Sequence, residues 1–357
     1  MPHQQWNPSP EQSDHALRLV HQSMVIDLHA HPQAIMPKFV RRTAEKRLGL
    51  PHDPLDNLPA AGINYAVVTA VGDRLGTGWR VGKSPMAAVE AQLTAATVEA
   101  RLITEPTNTC AGTTRIILGV EGADFLGHDL TRLHDLHQRG VRLVGLMHYA
   151  DNALGTIATT ITGRERARDR RRGLTTFGRE FLGELNHLGM VADLAHADKD
   201  TTITACEVST KPVIASHTAA LAVRDFRRYI SDEEIHAIAA TGGLIGLWPA
   251  SMRGKAMRDL DDFARHASHI AELVGVAHLA VGTDKNGVPD YADGYTASPD
   301  MINLAAALLK HGFDDNDVVA ILGGNAHRVL QQQPDDAPPS PPTHNEHTLR
   351  SDGTDCE

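Results

Sequence analysis

The sequence predicts a (β/α)8 barrel, and three observations carry that expectation. Eight short, β-rich apolar runs recur along the chain, and helix-length amphipathic stretches separate most of them. Strand and helix alternating in this way, with strands that are mostly apolar throughout, imply a parallel sheet, and eight such units close on themselves. Nearly every run also ends in a residue able to bind a metal or move a proton, and in this architecture the carboxyl ends of the strands meet at one mouth.

In chain order, the first expected strand is Met24–Leu28, which runs into His29-Ala30-His31. Side chains alternate faces along a strand, so two histidines one residue apart project to the same side and can grip one cation together. Tyr65–Val71 is an unbroken β-favouring run, followed by a helical stretch at Ala87–Arg101. Arg115–Val120 ends at Glu121, Asp129–Arg139 reads as helix, and Arg142–Met147 ends at His148. Thr176–Leu188 is the next helix, and Met190–Leu194 carries the chain through Asp193 to His196. Pro212–Ala215 runs into Ser216-His217, followed by a helix at Asp232–Ala240. Gly243–Leu247 is followed by Trp248, a residue placed to line a pocket or to pack, and then by a helix at Leu260–Val274. His278–Val281 ends in Gly282-Thr283-Asp284, and Pro299–Lys310 is the last helix.

The expected organisation is an N-terminal segment over residues 1–22, one barrel domain over 23–332, and a Pro-rich, polar tail over 333–357 whose composition cannot bury enough surface to order itself. The long stretch from Pro32 to Asn64 and the Arg-rich Asp151–Arg172 segment read as loops over the mouth. With 44 acidic against 34 basic residues the chain carries a formal charge of −10, so nucleic acid is not expected as a partner. The densest basic cluster, Arg164 to Arg172, reads as a solvated loop or a local anion-binding lid. No apolar stretch approaches the ~20 residues of a membrane helix, and the polar start of the chain lacks a signal-peptide pattern. The expectation is therefore a soluble, cytoplasmic protein without a membrane partner. Cys110, Cys206 and Cys356 are widely spaced, which argues against a disulfide framework and excludes a Cys-x-x-Cys zinc site.

Taken singly, each polar strand ending is explained by a satisfied core histidine or a capping aspartate. Their joint placement at one rim is not, although they run from position 29 to position 284. His29, His31, Glu121, His196 and His217 have the chemistry for two divalent cations, with neutral imidazoles as nitrogen donors and one carboxylate offering an oxygen to each ion. Zinc suits that set, and two zinc ions per chain are expected. Two adjacent cations acidify a water to hydroxide near neutral pH, and Asp284, short of partners to be a ligand, is expected to shuttle its proton to the leaving group. Asp193 is expected to orient a histidine or cap the following turn rather than bind metal.

The residues then resemble a known family, the membrane dipeptidase (renal dipeptidase) zinc peptidases of the amidohydrolase-like metal-dependent barrels. The resemblance runs from about Val25 to Leu330 and rests on Gly173-Leu174-Thr175-Thr176-Phe177-Gly178-Arg179-Glu180, Asn186 through His196, Pro212 through His217, and Gly323-Gly324-Asn325. It implies that His29 and His31 hold one zinc, that Glu121 bridges, and that His196 and His217 hold the second. It further implies that His148 contacts substrate and the tetrahedral oxyanion, that Arg228 takes the substrate's terminal carboxylate, and that Asp284 is the acid/base. Asn152 stands where it can sit beside the substrate or simply build its loop; Arg224 and Arg227 read as surface neighbours of Arg228. The implied reaction is hydrolysis of the amide bond of a dipeptide or dipeptide-like small molecule by hydroxide held between two zinc ions, and a homodimer is compatible with the resemblance. The alternatives are the same barrel and metals acting on another small amide, a lactone or a specialised-metabolite conjugate, or a non-catalytic metal-binding relative.

Two departures from the family pattern stand out. His31 occupies a position where the family has Asp, which exchanges an anionic oxygen for a neutral nitrogen and leaves metal identity open. Lys285 and Asn286 follow Asp284 where the family shows Phe and Asp, and they are expected to alter the wall of the site.

Overall fold

The computed structural model describes residues 6, 8–32, 55, 57–73, 84–104, 114–160 and 173–331. Eight parallel strands close in sequential order into a barrel. They are β1 Ile26–Ala30, β2 Tyr65–Val71, β3 Arg115–Glu121, β4 Val141–Gly145, β5 Val191–Asp193, β6 Ile214–Thr218, β7 Leu244–Leu247 and β8 Leu279–Val281. Every expected strand is present, with ends displaced by three residues or fewer. The Arg164–Arg172 cluster, most of the Pro32–Asn64 loop and everything past residue 331 lie outside the described residues.

Helix α1, Pro10–Gln22, precedes the barrel. After β2 to β8 come α2 Pro85–Thr104, α3 Thr131–Gln138, α4 Thr176–His187, α5 Lys199–Val208, α6 Asp232–Ala240, α7 Leu260–Val274 and α8 Met301–Lys310. Helix α1 was not expected from a stretch read as polar. Ser9 caps it with a reciprocal Ser9–Gln12 box and Pro10 opens it, while Ala16 and Val20 are buried and the helix packs against α8. Helix α5 was also missed, because its buried face is Thr201, Thr202 and Ala205 and carries almost no apolar stripe; Asp198 caps it by accepting from the Thr201 amide. Among the described residues, no helix is long and apolar enough to cross a membrane.

One apolar cluster fills the space between strands and helices. A second takes a residue or two from each strand, including Ile26, Leu28, Val67, Leu143, Val191, Ile214, Leu244 and Ala280, and forms the inside of the barrel. Ala326 and Val329 close that interior from below. They lie on α10, Asn325–Leu330, which continues from α9, Asp315–Val319, through a π-helical turn at Ala320–Gly324. The Gly323-Gly324-Asn325 landmark belongs here and does structural work. A Cβ on Gly323 would meet the Met24 carbonyl oxygen at 2.0 Å, and the Asn325 amide donates to the Val276 and Leu279 carbonyls at 2.8 Å each. Gly323→Ala is therefore expected to destabilise the fold by about 2–3 kcal/mol in denaturant unfolding. Gly324→Ala, exposed and with its nearest atom at 3.6 Å, should change stability little.

Two barrel seams are thinly paired. The β1–β8 pairing registers at Asp27↔Val281 and the β5–β6 pairing at Asp193↔Ile214. At each seam a buried aspartate supplies the bonds that the ladder does not. Asp27 accepts the Thr283 main-chain N–H at 2.9 Å and its hydroxyl at 2.6 Å; Asp193 accepts the same two groups from Ser216 at 2.9 and 2.6 Å. Both carboxylates thus fix the strand ends from which site residues project.

Candidate metal centre and active site

The strand endings converge. His29, His31, Glu121, His148, His196, His217, Arg228 and Asp284 are all buried. Glu121, the last residue of β3, stands at the centre. Its Oε2 faces His29 Nε2 at 3.7 Å, His31 Nε2 at 3.6 Å and His148 Nε2 at 3.4 Å. Its Oε1 faces His196 Nε2 at 2.9 Å and His217 Nε2 at 3.5 Å. One carboxylate therefore addresses two separate sets of imidazoles, one with each oxygen.

His29 and His31 share a side, but regular alternation is not the whole cause. The β1–β2 pairing shifts register between Asp27 and Ala30, and Asp27 Oδ1 accepts the His29 N–H at 3.2 Å, so the chain bends before His31. His31 Nδ1 lies 2.9 Å from the Thr69 carbonyl oxygen, an acceptor only, so Nδ1 carries the proton and the neutral ring presents a lone pair at Nε2. His31 Nε2 is also 3.4 Å from Asp284 Oδ1. Asp284, like His196, holds a left-handed backbone conformation (φ 52° and 70°), which local contacts must maintain.

The electrostatics follow from five buried rings crowding one buried carboxylate. Burial raises the cost of charge on Glu121, but charge on His148 and His29 and a hydrogen bond from His196 hold it well below the usual carboxylate range. Burial likewise opposes charge on His29, yet Glu121, with Asp284 and Asp193, draws its pKa up to about 9. His196 and His217 lie well below the ordinary imidazole value, first through burial and then through Arg228 and neighbouring rings. Their Nε2 atoms stand 3.2 Å apart. Two neutral, converging nitrogens beside a carboxylate oxygen form a donor set fitted to a divalent cation. His29 Nε2 is buried without a hydrogen-bond partner among the described residues. Ligand atoms of His29, His31 and Asp284, of His29, Glu121 and His217, and of Glu121, His148 and His196 each gather within 4.8 Å of one another.

The remaining residues divide. Arg228 is buried, with its guanidinium carbon 5.3 Å from the Trp248 ring, and its Nε and Nη1 have no hydrogen-bond partner among the described residues. Asn152 is engaged elsewhere: its amide donates to Leu146 O at 2.8 Å and Asp124 Oδ2 at 3.2 Å, and its carbonyl accepts from the Leu154 amide, so it builds its own loop. Lys285 and Asn286, expected in the wall of the site, are bonded to Ser298 and to the main chain of His31. The Lys285 ammonium is buried and donates to Ser298 Oγ, while the Lys285 carbonyl accepts the His31 N–H at 2.8 Å and Asn286 Nδ2 donates to the His31 carbonyl at 3.1 Å. Arg224 is tied to Asp262 and the Gly254 and Lys255 carbonyls, away from the cluster.

Sequence reasoning missed Asp73, whose Oδ2 lies 2.9 Å from His148 Nδ1. It stands two residues past β2, the one early strand given no functional ending, and the Gly72-Asp73 pair was the available signal. Gly72 permits the approach, since a Cβ there would lie 2.1 Å from the Gly122 carbonyl oxygen. Tyr149 was also passed over; its ring packs 4.2 Å from that of His148 and 4.9 Å from that of His196, and burial pushes its hydroxyl up to about 12.

A family model for the membrane dipeptidases (peptidase family M19) matches residues 82–339. The chain belongs to the membrane dipeptidase family. Relatives of this membrane dipeptidase family member include dipeptidase tcpJ of Claviceps purpurea, 29% identical over 223 residues (61% of this chain, 51% of the relative). An uncharacterised dipeptidase of Schizosaccharomyces pombe is 30% identical over 226 residues (62% and 53%). The chain thus spans about half the length of the curated relatives it matches. A metallopeptidase of Rhodobacter sphaeroides, solved with a phosphinate mimic of the dipeptide L-Ala-D-Ala, shares the fold with a TM-score of 0.71 at 21% identity, over 87% of this chain and 99% of that one.

Proposed function

We propose that this membrane dipeptidase family member hydrolyses the amide bond of a dipeptide or dipeptide-like small molecule at a centre of two divalent cations, with zinc the expected ion. The observation that carries the reading is Glu121, whose two oxygens face two distinct groups of imidazole nitrogens. His29, His31 and Glu121 would hold one ion, and Glu121, His196 and His217 the other. Two such ions, when bound, acidify a shared water and polarise the scissile carbonyl. Around them the chain's own residues have separable tasks. Asp284 accepts the proton of the attacking water and delivers it to the leaving nitrogen. His148, steadied from behind by Asp73, points Nε2 into the centre, where it can donate to the developing oxyanion. Arg228 is buried, and its Nε and Nη1 have no acceptor among the described residues, a costly arrangement that a substrate carboxylate would relieve through paired hydrogen bonds. The dipeptide mimic bound by the Rhodobacter sphaeroides structure supports this class of substrate.

The test uses zinc-loaded full-length protein and dipeptides offered with a free C-terminal carboxylate and as C-terminal amides. Chelator-sensitive hydrolysis is expected for the free acids, and Arg228→Met should lower kcat/KM on them by about 10- to 100-fold, as for loss of a charge-assisted hydrogen bond. The same substitution should leave the amides nearly unaffected. Absence of hydrolysis across the dipeptides would sink the reading, and hydrolysis of small amides or lactones without dependence on Arg228 would favour the alternative substrates.

A further inference from the structure

One buried hydroxyl touches both halves of the centre. Ser216 Oγ lies 2.6 Å from Asp193 Oδ2, 2.8 Å from His217 Nδ1 and 3.3 Å from His29 Nδ1. A serine hydroxyl has one hydrogen to give and two lone pairs with which to accept. Asp193 Oδ1 already accepts the main-chain N–H groups of Ala195 and Ser216 at 3.0 and 2.9 Å, so Asp193 is surrounded by donors and acts as the acceptor of the Ser216 hydrogen. With that hydrogen committed, Ser216 Oγ can only accept from the two rings. Both rings must then carry a proton on Nδ1, which in a neutral imidazole leaves the lone pair on Nε2. Those Nε2 atoms are the ones that face Glu121, His29 toward Oε2 and His217 toward Oε1.

We propose that Ser216, anchored on Asp193, is a positioning residue shared by both metal positions, fixing His29 and His217 together in the tautomer that can ligate. The inference rests on the two-cation reading above. His31 meets the same need separately through the Thr69 carbonyl, whereas His196 Nδ1 is buried with no partner among the described residues, so among these rings the shared arrangement joins His29 and His217. Because one oxygen serves both rings, loss of Ser216 strikes both cation positions at once, although Ser216 touches neither.

Selective 15N-histidine labelling of the full chain, with and without zinc, reads the tautomers directly, His29 and His217 being assigned from His→Asn variants. The expected result is a protonated Nδ1 on both rings and an unprotonated Nε2 on His217 in the metal-free protein. Ser216→Ala should give His217 a mixture of tautomers and lower zinc affinity by about 10- to 100-fold at both positions. Asp193→Asn, whose amide can turn the hydroxyl hydrogen toward His217, should shift His217 toward the Nε2–H form. A wild-type His217 protonated on Nε2, or a Ser216→Ala protein that binds two zinc ions as tightly as wild type, overturns the proposal. The wild-type spectrum decides the tautomer even where the variants fold poorly. Expected tautomers in a protein that takes up no zinc would uphold the hydroxyl relay while removing the two-cation reading beneath it.

Discussion

Glu121→Gln is expected to reduce metal content from two ions per chain to less than one and to abolish measurable turnover. The substitution keeps the volume of the side chain but exchanges one acceptor oxygen for an NH2 group and removes the carboxylate that, among the described residues, stands between the two imidazole sets. Either set then faces hydrogens where it faced a lone pair, and the site loses the negative charge that would offset bound divalent cations. In wild-type protein each oxygen lies within 3.7 Å of two or more imidazole nitrogens, so no rotation of the amide satisfies both sides. Elemental analysis after desalting measures the stoichiometry, and circular dichroism confirms that the barrel persists. Two ions retained per chain would exclude a bridging role.

The barrel was legible because its strands obey one rule throughout. Parallel strands buried on both faces read as continuous apolar runs, and Tyr65–Val71 or Leu244–Leu247 admit no other assignment once helices flank them. The boundaries drifted where side chains compensate for thin pairing. Thr218 belongs to β6 although the apolar run stops at Ala215, because Ser216 and His217 are buried polar residues whose bonds run to Asp193 and to each other. Helix α5 was invisible for the opposite reason: its buried Thr201 is bonded to Thr156, which in turn donates to Asp198, a polar contact that has no periodic signature in sequence.

The centre was legible for residues that stand at strand ends and illegible for those that act through them. Asp73, Thr283 and Ser216 find their partners on or just past other strands, far away in the chain, and spacing in sequence contains no trace of such pairs. The two departures from the family pattern show the same limit. Read along the chain, His31 and the Lys285-Asn286 pair are separate changes. In space they are one, since the main chain of His31 is bonded on one side to the Lys285 carbonyl and on the other to the Asn286 amide. Asn286 adopts φ 65°, a conformation asparagine tolerates better than most residues, which places its side chain on that carbonyl. The segment after Asp284 therefore braces the main chain of His31 from both sides.

Asp284→Asn separates two roles that geometry places side by side. Asp284 Oδ1 lies 3.4 Å from His31 Nε2, near enough to join His29 and His31 around an ion, and its position also suits a proton shuttle. The backbone that presents it is held independently of the carboxylate: the Gly287 N–H and the Tyr291 hydroxyl both donate to the Asp284 carbonyl, at 2.9 and 3.3 Å. Gly287 leaves the space the carboxylate occupies, because a Cβ there would lie 1.9 Å from Asp284 Oδ1. Asparagine fits the same volume and accepts the same left-handed backbone, so the variant alters basicity while preserving shape. A shuttle predicts turnover lowered by at least ~100-fold, two ions still bound, and KM little changed, because the lost interaction arises only as the proton moves. A ligand predicts instead that one ion departs with the activity. Full turnover with two ions bound would leave Asp284 with neither role and move the proton transfer to His148, which stands outside the two ligand pairs with its Nε2 3.4 Å from Glu121 Oε2.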